Sequence, residues 1–266
     1  LIGAAHPGGL ELLSANAHAA RTPLLFVHGA NIGAWCWAEY FLPWFAARGF
    51  PVYALSLRGH GASHGRDRLD LHGIADYADD VAAVVAGLER PPVLVGHSMG
   101  AVVVQKYLER GEAPAAVLAC PVPPWGLLPS TMMLAFTRPA LFAGLHSVAA
   151  GGRASLQTLA EALFADLVEP EHLARAYARM QRESNRALLD LAGFGLPQRW
   201  RMNLPRTLVL GAERDALIPH ASAEGAARML DADYVLLEGL GHGVMLDRGW
   251  ERAAAAILGW LEAQGL

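Results

Sequence analysis

The sequence predicts an α/β protein: a mostly parallel central sheet flanked by helices and interrupted once by an all-helical insertion. Three observations predict it. Short apolar runs alternate with helix-like stretches over the first 120 residues, the pattern of buried parallel strands joined by crossover helices. The alternation stops at the breaker cluster Pro121-Val122-Pro123-Pro124-Trp125-Gly126, and no convincing strand pattern returns until about Arg201. Ahead of that cluster, the apolar run Pro92-Val93-Leu94-Val95 leads into Gly96-His97-Ser98-Met99-Gly100 and then into a helix-like run ending at Leu108.

Each element has its own justification. Leu24–Val27 is a continuous apolar run ending at His28-Gly29, as expected of a strand buried on both faces. Pro43 to Arg48 lies in a helical segment closed by Gly49, and Val52–Leu55 is the next strand. From Ile74 to Leu88 the residues Ile74, Tyr77, Val81, Val84, Val85 and Leu88 recur at helical spacing, with Asp76, Asp79 and Asp80 expected on other faces. Val93–Val95 and Ala116–Ala119 are strands; Ala154–Ala165 and Pro170–Ala192 are helical segments, the latter opened by a proline suited to a first turn. Strands return at Thr207–Leu210 and Tyr234–Leu237, each followed by a helix, Ala221–Met229 and Trp250–Leu261. The divisions are therefore a core over 1–122, a helical cap over 123–200 and a second core segment over 201–266.

Bulk properties narrow the function. The chain has 266 residues, enough for one large domain with an insertion, and 53% are hydrophobic. Mean hydropathy is +0.26, yet no apolar stretch reaches the roughly 18–20 residues of a membrane span. With formal net charge −4 and no basic run, nucleic acid and integral membrane association are not expected. The first residues lack the charged and hydrophobic regions of a signal peptide, although the chain does not start with Met; cytoplasm is the default expectation. Cys36 and Cys120 are expected as buried free thiols. Oligomeric state is not readable.

G-x-S-x-G acts mechanically only between a strand and a helix, where a tight turn lifts the serine hydroxyl above the sheet. Ser98 stands in that context. A serine needs a base, and the base needs an orienting carboxylate. Asp215 follows the strand at Thr207–Leu210; its other reading is a turn aspartate, and Glu213 is the rival carboxylate in the loop. His242, flanked by Gly239, Gly241 and Gly243, follows the last strand. Oxyanion donors are expected from the Met99 amide and from the loop His28-Gly29-Ala30-Asn31, with Ala30 N–H preferred; the His28 side chain reads as structural. No H-E-x-x-H, C-x-x-C or dinucleotide loop is present, so neither metal nor cofactor is expected.

These segments, with the turn Arg58-Gly59-His60-Gly61-Ala62-Ser63, resemble the α/β-hydrolase superfamily over nearly the full chain, with a helical cap after the sixth strand of that fold. His28-Gly29-Ala30-Asn31-Ile32-Gly33-Ala34-Trp35-Cys36-Trp37 is similar to a stretch of plant methyl esterases and hydroxynitrile lyases, and the GHSMG and RGHGAS pair to monoacylglycerol lipases. The lyases carry a lysine where Gly243 stands and favour a threonine where Ala30 stands, so ester hydrolysis is favoured. The resemblance implies a serine carboxylesterase acting on small to medium, largely apolar esters through an acyl-enzyme. The alternatives are a slow or non-catalytic ligand receptor on the same fold, a carbon–carbon bond hydrolase, or a monoacylglycerol lipase-like enzyme. Trp125, Leu128, Met132, Phe136 and Phe142 are the expected pocket side chains, against the simpler reading that they pack the cap onto the core.

Overall fold

The computed structural model describes residues 2–149, 152, 155–166 and 168–266. Six strands run parallel: β3 (Leu24–Val27), β4 (Val52–Leu55), β5 (Val93–His97), β6 (Ala115–Ala119), β7 (Arg206–Ala212) and β8 (Asp233–Leu237). Two short strands unmarked by any sequence pattern, β1 (Gly3–Ala5) and β2 (Leu12–Ala15), extend one edge antiparallel. The order across the eight-stranded sheet is β1-β2-β4-β3-β5-β6-β7-β8. The chain therefore reverses its direction of travel between β3 and β5, and crevices of this kind hold ligands beyond the carboxyl ends of the strands.

Strand residues alternate between two apolar layers, as the period of two requires. Leu24, Phe26, Val93, Val95, Leu208 and Leu210 pack with α1 (Trp35–Ala38), α2 (Phe41–Ala46) and the C-terminal helix α11 (Trp250–Ala263). Leu25, Val27, Leu94, Leu118 and Val209 face α3 (Ile74–Gly87), α4 (Met99–Leu108) and α10 (His220–Leu230). The apolar stripe expected on α3 is buried at Ile74, Tyr77, Val81 and Val84. Asp80 departs from expectation: it is buried because Arg58, in the turn after β4, donates to its carboxylate through Nε, Nη2 and the backbone amide at 2.7–2.8 Å.

Between β6 and β7 the described residues contain no strand. Helices α5 (Leu128–Thr137), α6 (Pro139–Ala149), α7 (Leu156–Leu163), α8 (Pro170–Arg179) and α9 (Asn185–Leu189) fill this stretch. The helix expected over Ala154–Ala165 is α7, with Ala154 outside the described residues. The single helix expected over Pro170–Ala192 is instead broken. Met180 adopts extended dihedrals (φ −68°, ψ 150°), and Ser184 caps α9 through its hydroxyl, which accepts from Ala187 N–H. Among the described residues no helix is long and apolar enough to cross a membrane.

The turn from β5 into α4 depends on its two glycines. A Cβ at Gly96 would lie 2.5 Å from the Gly100 carbonyl oxygen, and one at Gly100 would meet the carbonyls of Val27 and His28. Backbone cannot step aside as a side chain can. Gly100→Ala is therefore expected to lower unfolding free energy by about 3–5 kcal/mol, the range of severe single substitutions, measured by urea denaturation. A loss near zero would contradict this close approach of α4 to the end of β3.

Candidate active site

Ser98 is the hinge between β5 and α4 and sits at φ 52°, ψ −116°. Left-handed backbone at a non-glycine residue carries strain on the order of 1–3 kcal/mol and persists only where the surroundings enforce it. Here Ser98 N–H donates to the Ala119 carbonyl at the end of β6 (2.9 Å). Ser98 lines a cavity of about 300 Å³ at the carboxyl ends of the strands.

His242 lines the same cavity from the loop after β8. Its Nδ1–H donates to Asp215 Oδ2 at 2.7 Å, and the two side chains are 4% and 1% exposed. The other oxygen, Asp215 Oδ1, accepts the amides of Leu217 and Ile218, both at 2.8 Å. The carboxylate is thus fixed in position while facing one imidazole nitrogen. Glu213 points elsewhere and accepts Gly239 N–H on the surface. No direct hydrogen bond joins Ser98 to His242, a link that commonly tightens only with substrate.

Two groups that sequence reasoning missed brace the histidine loop. His97 Nε2–H donates to the His242 carbonyl (2.9 Å), and Asp247 Oδ2 accepts Gly241 N–H (2.8 Å) and Ala165 N–H (3.0 Å). Burial, and then the neighbouring His242, hold the His97 imidazole well below its ordinary pKa, so it acts as a neutral strut.

Ala30, Asn31 and Ile32 form the opposite lip of the cavity. His28, at the end of β3, is buried; its Nδ1–H donates to the Gly29 carbonyl (2.7 Å) and its Nε2 accepts Leu57 N–H (3.1 Å). Burial, with the nearby His60, depresses its pKa to about 3, so the ring stays neutral and structural. The first amides of a helix lack intrahelical acceptors, which leaves the Met99 N–H at the start of α4 open beside Ser98.

Behind this lip lies a buried polar cluster without counterpart in the sequence patterns. Glu183, in the break between α8 and α9, accepts from His60 Nε2 (2.9 Å) and Asn31 N–H (3.3 Å) on Oε2. Its Oε1 accepts from Tyr77 Oη–H (2.8 Å) and Ser184 N–H (2.7 Å). Burial alone would raise the Glu183 pKa, but the His60 charge and these donors reverse the effect and hold it below the ordinary value. His60 is raised correspondingly: burial opposes its charge, Glu183 outweighs burial, and Nδ1–H also donates to the Arg58 carbonyl.

The five side chains expected to wall the pocket lie elsewhere. Leu128, Met132 and Phe136 share the solvent face of α5, with Phe136 83% exposed, while Leu134 turns inward. Trp125 is exposed beside Gly225 of α10, and Phe142 stacks on His146 at 5.5 Å. Helix α5 buries Ser130 beside Leu134 and turns its broadest apolar arc outward, so hydrophobicity pointed to the wrong face. The cavity is walled instead by Trp35, Leu159, Leu163, Met180, Met245 and Leu246, among others.

Cys120 Sγ, Asp215 and His242 bring potential metal-ligating atoms within 4.8 Å of one another. These groups already satisfy each other. Burial, then the charge of Asp215 and a hydrogen bond to it, push the Cys120 thiol well above its ordinary pKa, so it stays protonated and His242 Nδ1 remains engaged. Both cysteines are free and buried.

The chain is similar to a monoacylglycerol lipase of Mycolicibacterium smegmatis, 31% identical over 197 residues that make up 67% of this chain and 65% of that protein. It is similar also to methyl jasmonate esterase 1 of Vitis vinifera, 37% identical over 90 residues, 32% of this chain and 33% of that one. The chain thus spans less than two thirds of the length of either relative. Its fold matches a bromoperoxidase from Bacillus anthracis with a TM-score of 0.76 at 21% identity, over 98% of this chain and 100% of that one. A family description, alpha/beta hydrolase, fits residues 24–256. With the sheet order, the strained serine turn and the buried acid–histidine pair in place, the chain belongs to the alpha/beta hydrolase family.

Proposed function

We propose that this protein is a serine esterase with Ser98 as nucleophile, His242 as general base and acid, and Asp215 as the carboxylate that orients the imidazole. The observation that carries the reading is the 2.7 Å bond from His242 Nδ1–H to Asp215 at a cavity that Ser98 also lines. That bond fixes the tautomer that leaves Nε2 free to take a proton.

Ser98 Oγ attacks the ester carbonyl carbon while its proton passes to His242 Nε2. The carbonyl oxygen becomes an oxyanion held by the Met99 and Ala30 amides, the former at the positive end of α4. Collapse breaks the bond to the alcohol oxygen, which takes the proton from His242 and leaves. Water, deprotonated by the same imidazole, then attacks the acyl-enzyme and releases the acid and Ser98.

Residues 123–200 serve as the cap in this reading, since Leu145, Leu159, Leu163 and Met180 wall the cavity from that stretch. The volume is at the small end of ligand cavities, about 300–1,000 Å³, and the wall is largely apolar. Both features support a small to medium apolar acyl or aryl ester. A fluorophosphonate probe is expected to label wild-type protein at Ser98. In a p-nitrophenyl ester series kcat/KM is expected to peak at short to medium acyl chains. Absence of labelling would overturn the mechanism in favour of a binding protein, and preference for charged acyl groups would overturn the substrate class.

A further inference from the structure

We infer that Glu183 is a positioning residue that aims the Ala30 N–H at the reacting oxygen, tying the seat of the α8–α9 connection to the oxyanion site. The inference rests on the serine esterase reading above.

Three successive peptide units of the oxyanion loop are each pinned at one atom. The Gly29 carbonyl is held by His28 Nδ1–H at 2.7 Å. In a trans peptide the carbonyl and the following N–H point in opposite directions, so pinning this oxygen directs the Ala30 N–H away from His28. Ala30 itself lines the cavity. The next peptide is pinned at its nitrogen, where Asn31 N–H donates to Glu183 Oε2. The third is pinned at its oxygen, where Asn31 C=O accepts Gln181 N–H at 2.9 Å. Asn31 adds a side-chain bond from Nδ2 to the Gln181 carbonyl (3.0 Å) and adopts φ 66°, a left-handed backbone that needs such restraint.

The clamp is anchored on rigid ground. Gln181 Nε2 donates to the Gly59 carbonyl (2.9 Å) and its Oε1 accepts Gly61 N–H (3.0 Å), while Glu183 is fixed by His60 and by Tyr77 of α3. Residues 181–184 thus join the oxyanion lip, the turn after β4 and α3. This explains why the helix expected through Ala192 breaks at Met180. A continued helix would carry Glu183 away from Asn31.

Glu183→Gln isolates the contact. With the amide oxygen toward Tyr77 and Ser184, the new NH2 faces His60, which can lose its proton and accept while Nδ1–H still donates to Arg58. Asn31 N–H is then the one donor left without an acceptor. Misaiming an oxyanion donor weakens the transition state more than the bound ester, so the loss falls on kcat.

The experiment compares wild type, Glu183→Gln, Glu183→Asp and Ser98→Ala. Its readouts are kcat and KM on a p-nitrophenyl ester, normalised by active-site titration, the Ki of a trifluoromethyl ketone that forms a serine hemiketal oxyanion, and thermal unfolding. For Glu183→Gln, kcat per titrated site is expected to fall roughly 10- to 100-fold and the Ki to rise in parallel, with KM within about twofold. Partial unfolding would remove titratable sites without moving the Ki. If Glu183→Gln does not fold, Glu183→Asp, which keeps a carboxylate for His60 but is one methylene too short to hold both His60 and Asn31 N–H, carries the test and is expected to lose about fivefold in kcat with the same rise in Ki. Unchanged kcat and Ki, or a loss confined to KM, would overturn the inference. Turnover surviving in Ser98→Ala would instead overturn the esterase reading beneath it.

Discussion

Ser98→Ala is expected to lower kcat for a p-nitrophenyl ester by about 10⁵- to 10⁶-fold while thermal unfolding stays near the wild-type midpoint. The two outcomes have separate physical origins. In the proposed mechanism, removing Oγ removes the atom that forms the acyl bond and leaves His242 and Asp215 nothing to activate. Stability is spared because alanine keeps the same Cβ at φ 52° and inherits the same backbone strain. The scaffold enforcing that turn, the glycines at 96 and 100 and the bond from Ser98 N–H to Ala119, does not involve the hydroxyl. Activity above about 1% of wild type would remove Ser98 from the nucleophile's role.

Asp215→Asn is expected to lower kcat by about 10⁴-fold with a smaller change in KM. Asp215 Oδ1 accepts the Leu217 and Ile218 amides, so the asparagine oxygen must keep that side and the new NH2 must face His242 Nδ1. Two donors cannot pair. The imidazole would shift its proton to Nε2, the nitrogen that should receive the serine proton, or turn away. The Cys120 thiol, which also donates to Asp215, would lose an anionic partner as well. Measuring kcat against pH checks the assignment, because hydroxide can partly replace the missing base and the residual rate should climb at high pH. A variant retaining more than a tenth of wild-type kcat would reassign the acid, with Glu213 the remaining carboxylate in that loop.

How much of this was legible in the sequence follows from how local each signal is. The strands β3 to β7 announce themselves because residues buried on both faces give apolar runs, while β8, the half-exposed edge strand, shows through the run Tyr234-Val235-Leu236-Leu237. The serine turn, Asp215 and His242 sit at strand ends marked by glycines, so position and chemistry coincide. β1, the opposite edge strand, is three residues long and exposed throughout, and β2 beside it is four residues with two half-buried, so neither leaves a pattern. Asp80 looked outward by periodicity because a carboxylate reads as solvent-facing until its partner, Arg58, is known. The pocket residues failed for a different reason. Helix α5 turns Ser130 and Leu134 inward and Leu128, Met132 and Phe136 outward, so apolar composition in the cap did not show which side chains reach the cavity. Glu183 was invisible since each donor that justifies its burial comes from a segment more than 100 residues away, apart from its neighbour Ser184.

The break at Met180 carries a consequence for recombining this protein with its relatives. A chimera that exchanges the whole stretch between β6 and β7 would import a foreign partner for Asn31 along with the new cavity wall. Placing the downstream crossover before Met180 would keep Gln181 and Glu183 with the scaffold they brace, leaving α5 to α8 as the exchangeable block. In recombination terms, the seam between chemistry and substrate choice lies inside the helical stretch and well ahead of its end.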